Sequence, residues 1–267
     1  MDQRYWANYS EKEFSKLNFN NMIAVLPIGA IEQHGPHLPL SVDKVILDGL
    51  IEATVNKLPK KIEAIFLPTL PIGKSNEHAQ WKGTLTFSAQ TVISMCMEIG
   101  ASISRTGIKK IVLLNSHGGQ TSILDIVSRD LRIEYDILTV AANWFAMELP
   151  QGIFSDTENR FGIHAGDLET SMMLALNPKL VKMSEAKNFE NSLQKLSNSQ
   201  SILGLSNAGK IGWQMQDLNL DGACGDASIA TSEKGKTVID HVSSKIVQLL
   251  DEVSKMPITF KKNRSEA

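Results

Sequence analysis

Three short apolar runs constrain this chain more than any other feature. "MIAVLPI" (22–28), "IEAIFLP" (62–68) and "KKIVLLN" (109–115) have apolar centres without the polar alternation of a strand that has one wet face. They read as buried strands. Between them, apolar residues recur at helical spacing over 45–58 and over a stretch that Ser88 could cap, running to about Arg105. In the latter, Val92, Met95, Met97 and Ile99 are the expected inward positions. Farther on, 122–134 carries Ile123, Val127 and Leu131 on one helical face, and "ILTVAANWF" (137–145) reads as another strand. "DLETSMMLALNP" (167–178) reads as a helix that stops before Pro178, and 234–253 as a closing amphipathic helix. Such alternation predicts an α/β protein of three α/β/α layers with a mostly parallel central sheet. No repeat or low-complexity linker divides the 267 residues, so a single domain over 1–267 is expected, with 186–202 as an insertion or loop.

In an open parallel sheet, ligands collect beyond the carboxyl ends of the strands. Here "EQHGPH" follows the first run, "GKSNEH" the second and "NSHGGQ" the third. His34, His37, His78, His117 and His164 all fall in such loops or at a helix start, whereas His241 has an ordinary surface-helix setting. Glu32 and His34, two positions apart, project to the same side of an extended segment. Asp43 opens the next helix, where the macrodipole alone would also favour an acid. Carboxylate oxygens and neutral imidazole nitrogens suit zinc, manganese and similar divalent ions. Gly118 and Gly119, after His117, would let the backbone approach a ligand, but the spacing is not that of a phosphate loop. His164 and Glu169 lie near the start of a largely apolar helix. A carboxylate among Leu168, Met172 and Met173 needs a partner or must neutralise, and a metal is one such partner.

Composition narrows the alternatives. With 27 basic and 29 acidic residues the net charge is −2, which gives no basic excess for nucleic acid. The tail "KKNRSEA" reads as a solvated end. Cys96 and Cys224 are far apart in sequence, which disfavours a disulfide framework or a thiolate metal site, and Cys96 looks buried on a helix face. There is no secretory pattern near the start and no apolar run long enough to span a membrane, so a cytoplasmic protein is expected. No GxGxxG follows the first strand, which weakens a dinucleotide-dependent oxidoreductase.

Five segments together resemble the creatininase family: "GAIEQHGPHLPLSVD", "NEHAQWKGTLTFS", "NSHGGQ", "HAGDLETSMMLAL" and "DGACGDASIATSEKG". They keep the family's order and cover most of residues 23 to 240. The resemblance implies a metal-dependent amidohydrolase with two divalent ions per subunit, zinc or manganese, acting on a small molecule within a homo-oligomer, a hexamer. By resemblance, Asp43 is the bridging carboxylate, Glu32 and His117 bind one ion, His34 and Glu169 bind the other, and His164 transfers the proton. Three carboxylates and a bridging hydroxide would balance two divalent cations, leaving a cluster that can be partly buried. Glu77, His78, Gly118, Gly119, Trp144 and Arg160 are the candidate substrate contacts. Creatininase itself has an acidic side chain where Gly119 stands, and a flap tryptophan that is missing near Arg160 and Ile163. A different amide substrate is therefore expected. The open alternatives are hydrolysis of another small carbonyl compound or a peptide precursor, and a metal-binding subunit without catalysis.

Overall fold

The computed structural model of the chain describes residues 3–194, 202–204 and 208–258. Residues 195–201 of the polar stretch and the tail "KKNRSEA" lie outside them. Strands β1 (Ile23–Ile28), β2 (Ala64–Phe66), β3 (Lys110–Asn115) and β4 (Leu138–Asn143) form one sheet in the order β2-β1-β3-β4. All its pairings are parallel, and β1 and β3 run in register from Ile23 opposite Lys110 to Ile28 opposite Asn115.

The pleat explains the unbroken apolar runs, because alternate residues face opposite layers. Ile23 and Val25 join Phe66, Val112 and Leu114 in a core shared with helices α2 (Val42–Lys57), α6 (Asp167–Leu176) and α8 (Ser232–Lys255). Ala24, Leu26 and Ile28 join Ile65, Ile111 and Leu113 in a second core, under α3 (Ala89–Arg105) and α4 (Thr121–Tyr135). The architecture is therefore the expected three-layer α/β/α arrangement. Short elements complete it: α1 (Glu11–Phe14), α5 (Asp156–Phe161), α7 (Met215–Leu218), the antiparallel pair β5 (Asn188–Phe189) and β8 (Gly225–Asp226), and the parallel pair β6 (Leu203–Gly204) and β7 (Gly209–Lys210).

On α3 the buried stripe is Val92, Cys96, Gly100 and Ile103. Met97 and Ile99 only flank it and Met95 stays at its edge, a correction to the expected inward set. The stripe follows the 3.6-residue period, and Gly100 is small because a Cβ there would strike Leu131 of α4. Similarly, a Cβ at Gly235 of α8 would strike the backbone of Ser171 in α6, so these two helices cross closely. Lys110 reaches from β3 to donate to the carbonyls of Val253 and Ser254, satisfying the end of α8. No helix among the described residues is long and apolar enough to cross a membrane.

Candidate metal centre

The carboxyl edge of the sheet gathers the polar loops. After β1, the Glu32 N–H donates to the Leu40 carbonyl at 2.9 Å, folding the "EQHGPH" segment back on itself. Gly29 lets the start of α2 come close, since a Cβ there would lie 3.2 Å from the Lys44 Cα. Asp43, in the first turn of α2, is thereby carried under Glu32 and His34. His117 enters from the end of β3. Asn115 fixes its backbone, accepting from the His117 N–H at 3.0 Å and donating to its carbonyl at 2.8 Å. Glu169 comes from the first turn of α6.

These five side chains form two triads that share Asp43: Glu32, Asp43 and His117, and His34, Asp43 and Glu169. His117 Nδ1 lies 3.2 Å from Glu32 Oε2 and 3.7 Å from Asp43 Oδ2. His34 Nε2 lies 3.8 Å from Asp43 Oδ1 and 3.9 Å from Glu169 Oε2. The two Asp43 oxygens thus face different triads. Glu32, His34, Asp43 and His117 are all at most 5% exposed. Even so, Glu32 Oε2, His34 Nε2 and Asp43 Oδ2 have no hydrogen-bond partner. Buried polar atoms without partners are costly, and divalent cations at both triads would satisfy all three.

The outer hydrogen bonds set the imidazoles for this role. His34 Nδ1–H donates to the Glu32 carbonyl at 3.0 Å, which leaves the Nε2 lone pair on the cluster. His117 Nε2–H donates to the Lys74 carbonyl at 2.9 Å, which leaves Nδ1 on the cluster. Burial pushes the Asp43 carboxyl up, and Glu32 beside it adds to the rise. Burial and Asp43 likewise lift Glu169 to about 7. For His34 burial acts downward, but Asp43, Glu169 and Glu32 outweigh it and raise the imidazole to about 9. Without cations the cluster therefore holds protons in their place.

A family profile described as "Creatininase: Creatinine amidohydrolase" matches residues 7–250. The chain belongs to the creatininase family. It is 30% identical over 158 residues to the mycofactocin precursor peptide peptidase of Mycolicibacterium smegmatis, a match covering 58% of each chain. It is 28% identical over 194 residues to the creatinine amidohydrolase of Pseudomonas putida, covering 67% of this chain and 72% of that one. A solved putative creatinine amidohydrolase from Bacteroides fragilis superposes with a TM-score of 0.78 at 25% identity, over 96% of this chain and 98% of its own. A structure named "Creatininase Mn" superposes with a TM-score of 0.74 at 20% identity, over 94% and 99%.

Around this creatininase-family cluster the remaining candidates divide. His164 lies beside it, with Nδ1 3.7 Å from Glu32 Oε1, while its Nε2–H donates to the Gln33 carbonyl at 2.7 Å. Burial, then His34 and His78, hold it well below the usual histidine range, so it is neutral. His78 Nε2 is 3.5 Å from Glu32 Oε1, and its Nδ1 accepts from the Gln33 side-chain amide at 2.8 Å. Glu77 Oε1 sits 3.1 Å from His117 Nε2. A Cβ on Gly119 would collide with that carboxylate, so Glu77 fills the space above Gly119 from another segment. Gly118 has open space where a side chain would be.

Two candidates stand apart. Trp144 is 1% exposed and donates from Nε1 to Ser116 Oγ at 2.8 Å, and Ser116 donates to the Asp43 carbonyl at 2.8 Å. It buttresses Asp43 from the core instead of lining a solvent-reached surface. Arg160 is exposed, with its guanidinium 5.0 Å over the Phe161 ring, and is not drawn into the cluster.

Sequence reading missed two supports, Gln33 and Glu158, and gave a third, His37, no role. Gln33 ties His78 to the Gly222 carbonyl. Glu158 is buried and accepts from the N–H groups of Leu168 and Asp226, joining the His164 turn to the "GACGD" loop. His37 packs on Phe189 with ring centroids 5.3 Å apart and meets Thr170 Oγ1 at 2.9 Å. All three act through contacts between segments distant in sequence, which periodicity does not reveal. For Glu158 one signal existed, an acid lying a few residues before a histidine turn.

Proposed function

We propose that this protein hydrolyses a carbon–nitrogen amide bond of a small molecule or short peptide, with two divalent ions, zinc or manganese, held by the paired triads. The observation that carries the reading is the shared Asp43, whose two oxygens face separate triads, together with three buried atoms that lack partners. Bound there, the ions would supply an activated water and polarise the amide carbonyl. Glu32 and His117 would hold one, His34 and Glu169 the other, and Asp43 both.

The rest of the chemistry falls to the chain. His164 is neutral and offers Nδ1 toward the cluster, so it can accept a proton there and release it to the departing nitrogen. Its Nε2–H bond to the Gln33 carbonyl fixes the tautomer through the transfer. Glu77, held as a carboxylate by His117 despite burial, orients that ligand. The amides beside Gly118, where the surface is open, can hold the substrate carbonyl.

Two of the curated relatives break C–N bonds by name, one in a peptide precursor and one in creatinine, while another, 24% identical, is named a 3-dehydro-scyllo-inosose hydrolase. A panel of N-formyl amines, lactams, short peptides and creatinine, tested on manganese- and zinc-loaded protein, decides the class. Turnover of an amide is expected, with creatinine among the poorest substrates because the flap tryptophan of creatininase is missing near Arg160 and Ile163. Fully loaded protein that cleaves no amide on the panel, or that prefers creatinine, would contradict the reading.

A further inference from the structure

A row of aromatic rings leads outward from the cluster. The His34 and His164 rings lie 4.1 Å apart at 34°, and His164 and His78 lie 4.3 Å apart at 33°. His78 then meets Trp213 edge-on, with centroids 6.4 Å apart at 87°. The first three side chains are buried, whereas Trp213 is half-buried. The row therefore starts at a candidate metal ligand and ends where solvent can reach.

Trp213 is firmly seated. With Trp81 and Leu193 it packs on Met215, Leu218 and Cys224. Cys224 exchanges backbone hydrogen bonds with His164, at 2.7 and 3.4 Å. The Gly222 carbonyl is held by Gln33, which also holds His78. Gln80, beside Trp81, donates to Gln214, beside Trp213, at 3.5 Å. The segment that presents Trp213 is thus tied to the residues that orient His78 and His164.

We infer that Trp213 is a specificity-determining wall of the substrate site, favouring an amide with an aromatic or flat apolar group beside the bond to be cleaved. The inference rests on the metal-hydrolase reading. His78 stands between Trp213 and Glu32, with its Nε2 3.5 Å from Glu32 Oε1. A ligand no larger than a formyl group on the cluster would stop short of the indole. One that extends past His78 would bury a ring against it, and stacked or edge-on aromatic pairs gain beyond their area alone. The competing reading is that Trp213 only packs the small cluster beneath it.

Two chelating probes separate these readings: acetohydroxamate, with a methyl group, and phenylacetohydroxamate, with a ring. Their affinities for the manganese-loaded full chain are measured by calorimetry. The wild type is expected to prefer the ring-bearing probe. Trp213→Ala should lower that preference by about three- to tenfold while leaving acetohydroxamate unchanged, and Trp213→Phe should keep most of it. If Trp213→Ala does not fold, Trp213→Leu, which keeps apolar bulk without a ring, makes the same comparison. An unchanged preference in the variants, with only a lowered unfolding temperature, would reduce Trp213 to packing. Failure of both probes to bind loaded wild type would instead overturn the metal reading, and this inference with it.

Discussion

His164 uses its nitrogens as the ligand histidines do, but it groups with Glu32 and His34 outside the two triads that share Asp43. Its Nε2–H is committed to the Gln33 carbonyl, and its Nδ1 faces Glu32 at 3.7 Å without being needed in either triad that contains Asp43. His164→Ala should therefore keep the metal complement and lower kcat by about 10²–10⁴-fold, the usual range for positioned acid–base groups. Metal content and kcat, measured on one preparation with the substrate found by the panel, check this. Normal metal with near-normal kcat would take His164 out of the chemistry. The family resemblance named Glu32, His34, Asp43, His117 and Glu169 as ligands, residue types that suit divalent ions, and the fold does bring them together. Trp144 and Arg160 could not be placed by the same means. Whether a side chain turns into the core or toward solvent depends on packing that no local spacing encodes.

At the scale of an element, the turn before α6 matters most. Ala165 adopts φ 55, a left-handed conformation unusual for a residue with a Cβ. Its N–H donates to Glu169 Oε2 at 2.5 Å, so the turn aims Glu169 while it carries His164. His37 supports the turn from below. It is 1% exposed, and the Thr170 hydroxyl it meets also donates to the Ala165 carbonyl at 3.5 Å. Burial, with His34 nearby, lowers His37 to about 4, so it is neutral at ordinary pH. His37→Ala should cost roughly 1–3 kcal/mol by removing the Thr170 hydrogen bond and the packing on Phe189, and should weaken metal binding through Glu169. Urea unfolding of the metal-free protein and calorimetric metal titration test the two parts separately. If stability and metal affinity both stay at wild-type values, His37 has no role in the turn. Strand positions were legible to within a residue or two, because fully buried β1 and β3 leave continuous apolar runs. The pairs β5 with β8 and β6 with β7 were not, since two-residue strands carry no period.

For the molecule as a whole, strand–helix alternation was enough to read three layers. It could not assign helices to faces, which depends on close approaches such as Gly235 of α8 on α6. We propose that the chain assembles as a homo-oligomer of six, the arrangement its family resemblance implies. Closed symmetric assemblies are the common outcome for identical subunits. Light scattering across micromolar concentrations should give a mass well above the 29.4 kDa chain, and a monomer throughout would contradict it. Metal content per chain bears most directly on the central claim, because two divalent ions are what would balance Glu32, Asp43, Glu169 and a bridging hydroxide. Elemental analysis of the wild type and of Asp43→Ala, after loading with manganese or zinc and removal of excess, is the decisive measurement. The account predicts two ions per chain in the wild type and loss of most metal in Asp43→Ala. A full complement retained by Asp43→Ala would contradict it.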